Sequence, residues 1–148
     1  PKPNLDLLFS IVYYVRVFPD KVHHPKEEQV LFPALRRHRP ELGPVIEELE
    51  RQHAAGTKDL GRLDRALKAF DRDYPKGLDT LREAGRDFVH AQRQHMGLEE
   101  REIIPAAKEC LTEEDWTPIH RAFGTNADPL FGENVEAGFR ALFAKITR

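Results

Sequence analysis

His95-Met96-Gly97-Leu98-Glu99-Glu100-Arg101-Glu102-Ile103-Ile104-Pro105 repeats the pattern of His23-His24-Pro25-Lys26-Glu27-Glu28-Gln29-Val30-Leu31-Phe32-Pro33. Both stretches read His, three residues, Glu-Glu, two residues, two apolar residues, Pro, at a constant offset of 72. On a helix, residues four apart lie one turn above each other on one face. His23 with Glu27, and His95 with Glu99, can therefore each present an imidazole nitrogen and a carboxylate to one ion. Two such helices facing each other would build a site with approximate twofold symmetry. His24 also has a glutamate four residues on, Glu28, so helical spacing alone leaves the His23–Glu27 and His24–Glu28 registers both open. The repeat favours the first, and a kink at Pro25 would favour the second.

Working outward, the chain is helical throughout. Apolar residues recur at spacings of three and four, and no segment alternates as a strand would. Asn4 can cap a helix whose face is Leu7, Leu8, Ile11, Val12 and Val15. Pro19 and Pro25 each lack an N–H and clash with the preceding turn, so residues 5–37 form two helices or one long kinked helix. A second helix starts at Pro40 or at Gly43-Pro44 and carries Val45, Ile46, Leu49, His53, Leu60, Leu63, Leu67 and Phe70 before Asp73-Tyr74-Pro75-Lys76-Gly77. A third runs from Leu78 to about Cys110, with Leu81, Phe88, His95, Leu98 and Ile103 facing inward and Pro105 bending or ending it. Thr112 with Asp115 forms a variant capping box for a short helix. A Gly-, Asn- and Pro-containing loop, 124–134, precedes a final helix expected over 135–146.

Between the two repeats lies Glu50-Arg51-Gln52-His53-Ala54-Ala55-Gly56, where small residues beside His53 let a facing helix or small ligand approach. Imidazoles with carboxylates suit iron, manganese or zinc, and carboxylates can bridge two ions in a bundle core. His38, in the run Arg36-Arg37-His38-Arg39, reads as surface, and His90 and His120 as surface or as neighbours of a site.

The composition bounds the rest. A chain of 148 residues makes one domain, long enough to bury about two-thirds of the surface its unfolded form exposes. With 23 Lys plus Arg against 25 Asp plus Glu, the formal charge of −2 argues against a nucleic-acid binder. The single Cys110 excludes an internal disulfide framework, and the absence of further thiols disfavours iron–sulfur and soft copper sites. The longest apolar run near the start, 7–15, is too short to span a bilayer and lacks the flanks of an export signal. The expectation is a cytoplasmic protein without membrane or nucleic-acid partners. The chain opens on Pro1-Lys2-Pro3-Asn4 without a methionine, so its natural start is expected to lie upstream.

The stretches Phe18-Pro19-Asp20-Lys21-Val22-His23-His24-Pro25-Lys26-Glu27-Glu28, Leu31-Phe32-Pro33, Arg51-Gln52-His53 and His95-Met96-Gly97-Leu98-Glu99-Glu100 together resemble the bacterial hemerythrin-like (HHE cation-binding) family. The resemblance extends to Asp115-Trp116 and Asp128-Pro129-Leu130. It implies an all-α, up-down four-helix bundle around a non-haem di-iron centre that binds dioxygen or nitric oxide or responds to redox or iron status. By that resemblance the metal ligands are His23, Glu27, His53, His95 and Glu99, with iron as the cofactor and zinc or manganese as substitutes. The family has a further histidine-bearing helix before the matched region. Its first helix is therefore expected to be missing from this chain, residues 1–148 forming a single, N-terminally incomplete domain with extra short C-terminal helices. An apolar groove would then favour a homo-oligomer. Two rival readings stand beside this one. A ferritin- or rubrerythrin-like oxidase or peroxidase would use Glu-x-x-His pairs, which occur once, at Glu50 and His53, whereas His-x-x-x-Glu occurs twice. A metal-free helical interaction module would leave the histidines as polar surface.

Overall fold

The computed structural model describes residues 3–124 and the single position Ala144. Apart from Ala144, which is helical, the expected final helix over 135–146 lies outside the described residues, as does the Asp128-Pro129-Leu130 loop. The first helical rod begins with α1 (Leu5–Val15), capped by Asn4, whose side-chain oxygen accepts the Leu7 N–H at 3.1 Å. It continues through a π-helical stretch, Arg16–His23, a short α2 (His24–Lys26), a second π-helical stretch, Glu27–Leu31, and α3 (Phe32–His38). The alternative of one long interrupted helix is the one observed. The turn Pro40–Leu42 leads into α4 (Gly43–Arg72). Gly77, at φ 83, takes the left-handed conformation that starts the third rod. That rod comprises α5 (Leu78–Leu98), a π-helical stretch Glu99–Ile103 and α6 (Ile104–Cys110). Pro105 neither ends nor breaks it. A fourth, shorter helix, α7 (Glu113–Gly124), follows. There is no strand among the described residues.

The π-helical turns fall at matching places in the two repeats, and the closing prolines explain them. Pro33 and Pro105 have no N–H to give the carbonyl four residues back. The turn ahead of each widens, so that the Phe32 N–H reaches the Glu27 carbonyl and the Ile104 N–H reaches the Glu99 carbonyl. Each widened turn thus starts at the first glutamate of its repeat, and such turns are frequent at functional sites.

The first rod and α4 are antiparallel, as the pairs Arg16–Asp64, Glu28–His53 and Arg36–Glu50 show. The same holds for α4 and α5, joined by Arg62–Asp87 near one end and His95–Gln52 nearer the other. Two apolar cores result. One contains Phe32, Leu35, Ile46, Leu49, Ile103 and Ile119, and the other Leu5, Val12, Leu60, Leu67, Phe70 and Phe88. On α4, His53 lies between Leu49 of one core and Leu60 of the other; on the third rod, His95 lies between Phe88 and Ile103. A polar layer therefore divides the bundle. The expected face of α1 is only part-covered: Leu8, Ile11, Val15, Leu63 and Val89 line an apolar groove of about 450 Å³ along α1, α4 and α5.

Candidate metal centre

The polar layer is built from the helical periodicity that buries the cores. His53 and His95 occupy inward positions of α4 and α5, and Glu27 sits at the start of the widened turn of the first rod. Each is only 6% exposed. Gly56, one turn beyond His53, is buried and faces Gln92 of α5, whose amide an added Cβ would meet at an ordinary 3.6 Å.

Four side chains, His24, Glu27, His53 and His95, each offer one ligand atom, and these atoms all lie within 4.8 Å of one another. The His24 and His53 rings are nearly parallel, with centroids 4.0 Å apart, and His95 stands edge-on to both. Glu27 presents its two oxygens to different histidines, Oε1 to His23 Nε2 at 3.1 Å and Oε2 to His53 Nε2 at 3.4 Å. Glu99 Oε1 faces His95 Nε2 at 3.3 Å. Both His-x-x-x-Glu pairs thus face each other within their own helix; of the five ligands that the sequence resemblance implies, Glu27, His53 and His95 belong to the four-residue cluster, while His23 and Glu99 each contact one of its members. His24, the register alternative, is the histidine that joins the four-residue cluster. His23 stays at the rim, its side chain 37% exposed and touching Phe18 and Phe123. Glu28 does not pair with His24 but turns to His53 Nδ1, at 2.7 Å.

The electrostatics follow from this crowding. Burial pushes the Glu27 carboxyl up, but His23 and His53 beside it outweigh burial and hold it well below the usual carboxylate range. The hydrogen bond with Glu27 raises His23. Burial pushes His53 down, and the Glu27 and Glu28 carboxylates on its two sides more than reverse this. His24 is driven the other way, to about 3, by burial and by its neighbour His53. It is a neutral imidazole with a lone pair to offer.

The donor set fits a metal ion. Among the described residues, three buried atoms around the centre, Glu27 Oε2, His53 Nε2 and Glu99 Oε1, have no well-formed hydrogen bond. Glu27 Oε2 and His53 Nε2 face each other at 3.4 Å and Glu99 Oε1 faces His95 Nε2 at 3.3 Å, so their donor and acceptor atoms converge without good hydrogen-bond geometry, and an ion between them would satisfy them. Nitrogen and oxygen donors without a thiolate suit iron, manganese or zinc. A pocket of about 460 Å³, lined by Asp20, His24, Glu28, His53 and Thr57, reaches the cluster from the side.

Other histidines have other work. His38 is not simple surface: its Nε2 lies 2.7 Å from Asp115 Oδ2, and Arg37 donates to the other oxygen at 2.9 Å. His120 stacks on Trp116, and His90 is exposed. Glu50, the carboxylate of the single Glu-x-x-His match, is held by Arg36 through two hydrogen bonds of 3.1 and 3.0 Å.

An all-helical bundle with a buried layer of imidazoles and carboxylates defines the class of metal-ion-binding helical bundles. Within that class the family is defined by sequence: the model of the hemerythrin HHE cation binding domain matches residues 7–107, and the chain belongs to that family. No curated protein and no solved structure matches the chain.

Proposed function

We propose that this protein holds a non-haem di-iron centre and uses it to bind dioxygen or nitric oxide, or to sense oxygen, redox or iron status. The observation that carries the reading is the convergence of three buried atoms that lack a well-formed hydrogen bond among the described residues, Glu27 Oε2, His53 Nε2 and Glu99 Oε1, beside His24 and His95. In this reading His24, His53, His95 and Glu27 hold one ion, and His23 and Glu99 contribute on either side of it. Glu27 is suited to serve two ions because its oxygens face different histidines. Iron held with one coordination position open would supply reversible binding of a diatomic ligand.

The residues contribute more than ligation. Glu27 and Glu99 bring negative charge to balance the cations, and the neutral His24 avoids adding a further positive charge to the layer. The pocket past Asp20 and Thr57 admits a small molecule to His24 and His53. The two apolar cores flanking the layer exclude bulk water from the other directions. The open apolar groove keeps a homo-oligomer within this proposal, read by light scattering in solution.

Iron analysis of protein loaded anaerobically with ferrous ion tests the centre, and a reversible, oxygen-dependent near-ultraviolet band tests the diatomic ligand. Two irons per chain and a reversible band are expected. Turnover of peroxide without a reversible band would favour the ferritin- or rubrerythrin-like reading, which the engagement of Glu50 by Arg36 disfavours. An iron content near zero would return the chain to a metal-free interaction module.

A further inference from the structure

His53 and His95 are each gripped on both ring nitrogens, but by unlike partners. Consecutive glutamates straddle His53: Glu27 Oε2 faces its Nε2 at 3.4 Å, and Glu28 Oε1 lies 2.7 Å from its Nδ1. At His95, Glu99 faces Nε2 at 3.3 Å, while Nδ1 lies 3.1 Å from the side-chain oxygen of Gln52. A carboxylate and an amide oxygen only accept, so both Nδ1 atoms donate. A neutral imidazole in this arrangement keeps its lone pair on Nε2, the atom turned toward the centre. Gln52 cannot flip freely, because its amide nitrogen donates to Glu48 Oε1 at 2.7 Å and Arg51 anchors the same carboxylate.

Each brace comes from a neighbouring helix: Glu28 of the first rod reaches His53 on α4, and Gln52 of α4 reaches His95 on α5. Glu100, the counterpart of Glu28 in the second repeat, is exposed and makes no ion pair among the described residues. Hydrogen-bond partners on the far nitrogen of a ligating histidine fix its tautomer and raise its basicity, and a carboxylate does so more strongly than an amide.

We propose that Glu28 and Gln52 are positioning residues, an anionic brace behind His53 and a neutral brace behind His95, which make these two histidines of the centre chemically unlike. This rests on the metal-binding reading above. Cobalt(II), added to the full chain and followed by its ligand-field absorption and by chelator competition, is the probe. Glu28→Ala and Gln52→Ala should each lower cobalt affinity by about 10–100-fold and shift the band. Glu28→Gln, which keeps an acceptor oxygen and removes the charge, should lose less affinity than Glu28→Ala and restore the band position. Glu28→Gln also serves as the test if Glu28→Ala does not fold. Wild-type protein that binds cobalt, with Glu28→Ala or Glu28→Gln and Gln52→Ala matching it in affinity and band, overturns the braces while leaving the metal reading intact. Wild-type protein that fails to bind cobalt overturns the metal reading and, with it, the braces.

Discussion

The two repeats, 23–33 and 95–105, share a residue pattern and a widened helical turn, yet the tertiary structure uses them differently. In the first, Phe32 is fully buried and lies parallel to the His53 ring with centroids 6.0 Å apart, while Leu31 is half-buried. In the second the roles exchange: Ile103 is 2% exposed, and Ile104, the counterpart of Phe32, is 45% exposed. The carboxylates differ too. Glu27 faces two histidines, whereas the only histidine within ion-pair distance of Glu99 among the described residues is its own helix partner, His95. A repeated sequence ensures that two helices carry the same ligands at the same spacing. It does not ensure equal surroundings, because the first rod packs against α4 and α7 while the third packs chiefly against α4.

That difference can be broken at its apolar residues first. Phe32→Ala empties a fully buried site and should cost about 3–5 kcal/mol in denaturant unfolding, whereas Ile104→Ala, on an exposed surface, should stay within about 0.5 kcal/mol. Equal losses would mean that the two repeats bury their apolar pairs alike.

The carboxylates come next. Glu27→Gln removes charge from an oxygen pair that faces both His23 and His53, and the iron-to-protein ratio should drop sharply. Glu99→Gln should lower it less. An unchanged ratio in both variants would remove these glutamates from the centre.

A smaller effect separates the ends of the two rods. The first rod is tied to α7 through Arg37 and His38 on Asp115, which also completes the expected capping box: its Oδ2 accepts the Thr112 N–H at 3.0 Å, and Thr112 Oγ1 accepts the Asp115 N–H at 3.3 Å. The backbone and hydroxyl of Thr112, then Arg37 and His38, hold the Asp115 carboxyl well below its ordinary 3.8. A depressed acid stabilises fully above its unfolded value and loses that contribution as the pH falls through its folded value. Docking of α7 should therefore be intact near pH 5 and loosen below about pH 4. Fluorescence of Trp116, the single tryptophan, reports it, and Asp115→Asn should abolish the acid transition.

The smallest effect is expected at Glu100. It is the sequence counterpart of Glu28, is exposed, and makes no ion pair among the described residues. Glu100→Ala should leave metal affinity within about twofold, well short of the 10–100-fold typical of a ligand's brace. A larger loss would mean that Glu100 acts on the centre as Glu28 does.

Periodicity made much of this molecule legible. Of the residues expected on one face of α4, Ile46, Leu49, His53, Leu60, Leu67 and Phe70 are buried, while Val45 and Leu63 are half-buried. On the third rod Leu81, Phe88, His95 and Ile103 are buried as expected, while Leu98 is half-buried. The repeat brought His95 to Glu99 and His23 to Glu27 because four residues make about one helical turn. The choice between His23 and His24 was not legible. Pro19 and Pro25 lie in a rod whose turns alternate between α and π, and each widened turn shifts the facing of every later residue by an amount that a single helical period does not supply.

The chain by itself therefore determined the helical class, the inward faces, the Thr112–Asp115 cap and a histidine–glutamate pair in each repeat, since these follow from local spacing and hydrogen-bonding chemistry. Only the tertiary structure decided that His24 joins the cluster, that Glu28 turns to His53, that Gln52 stands behind His95 and that Arg36 occupies Glu50. Each of these joins residues whose meeting depends on how whole helices are rotated and staggered against one another. That rotation is set by the packing of two cores and by the widened turns between them.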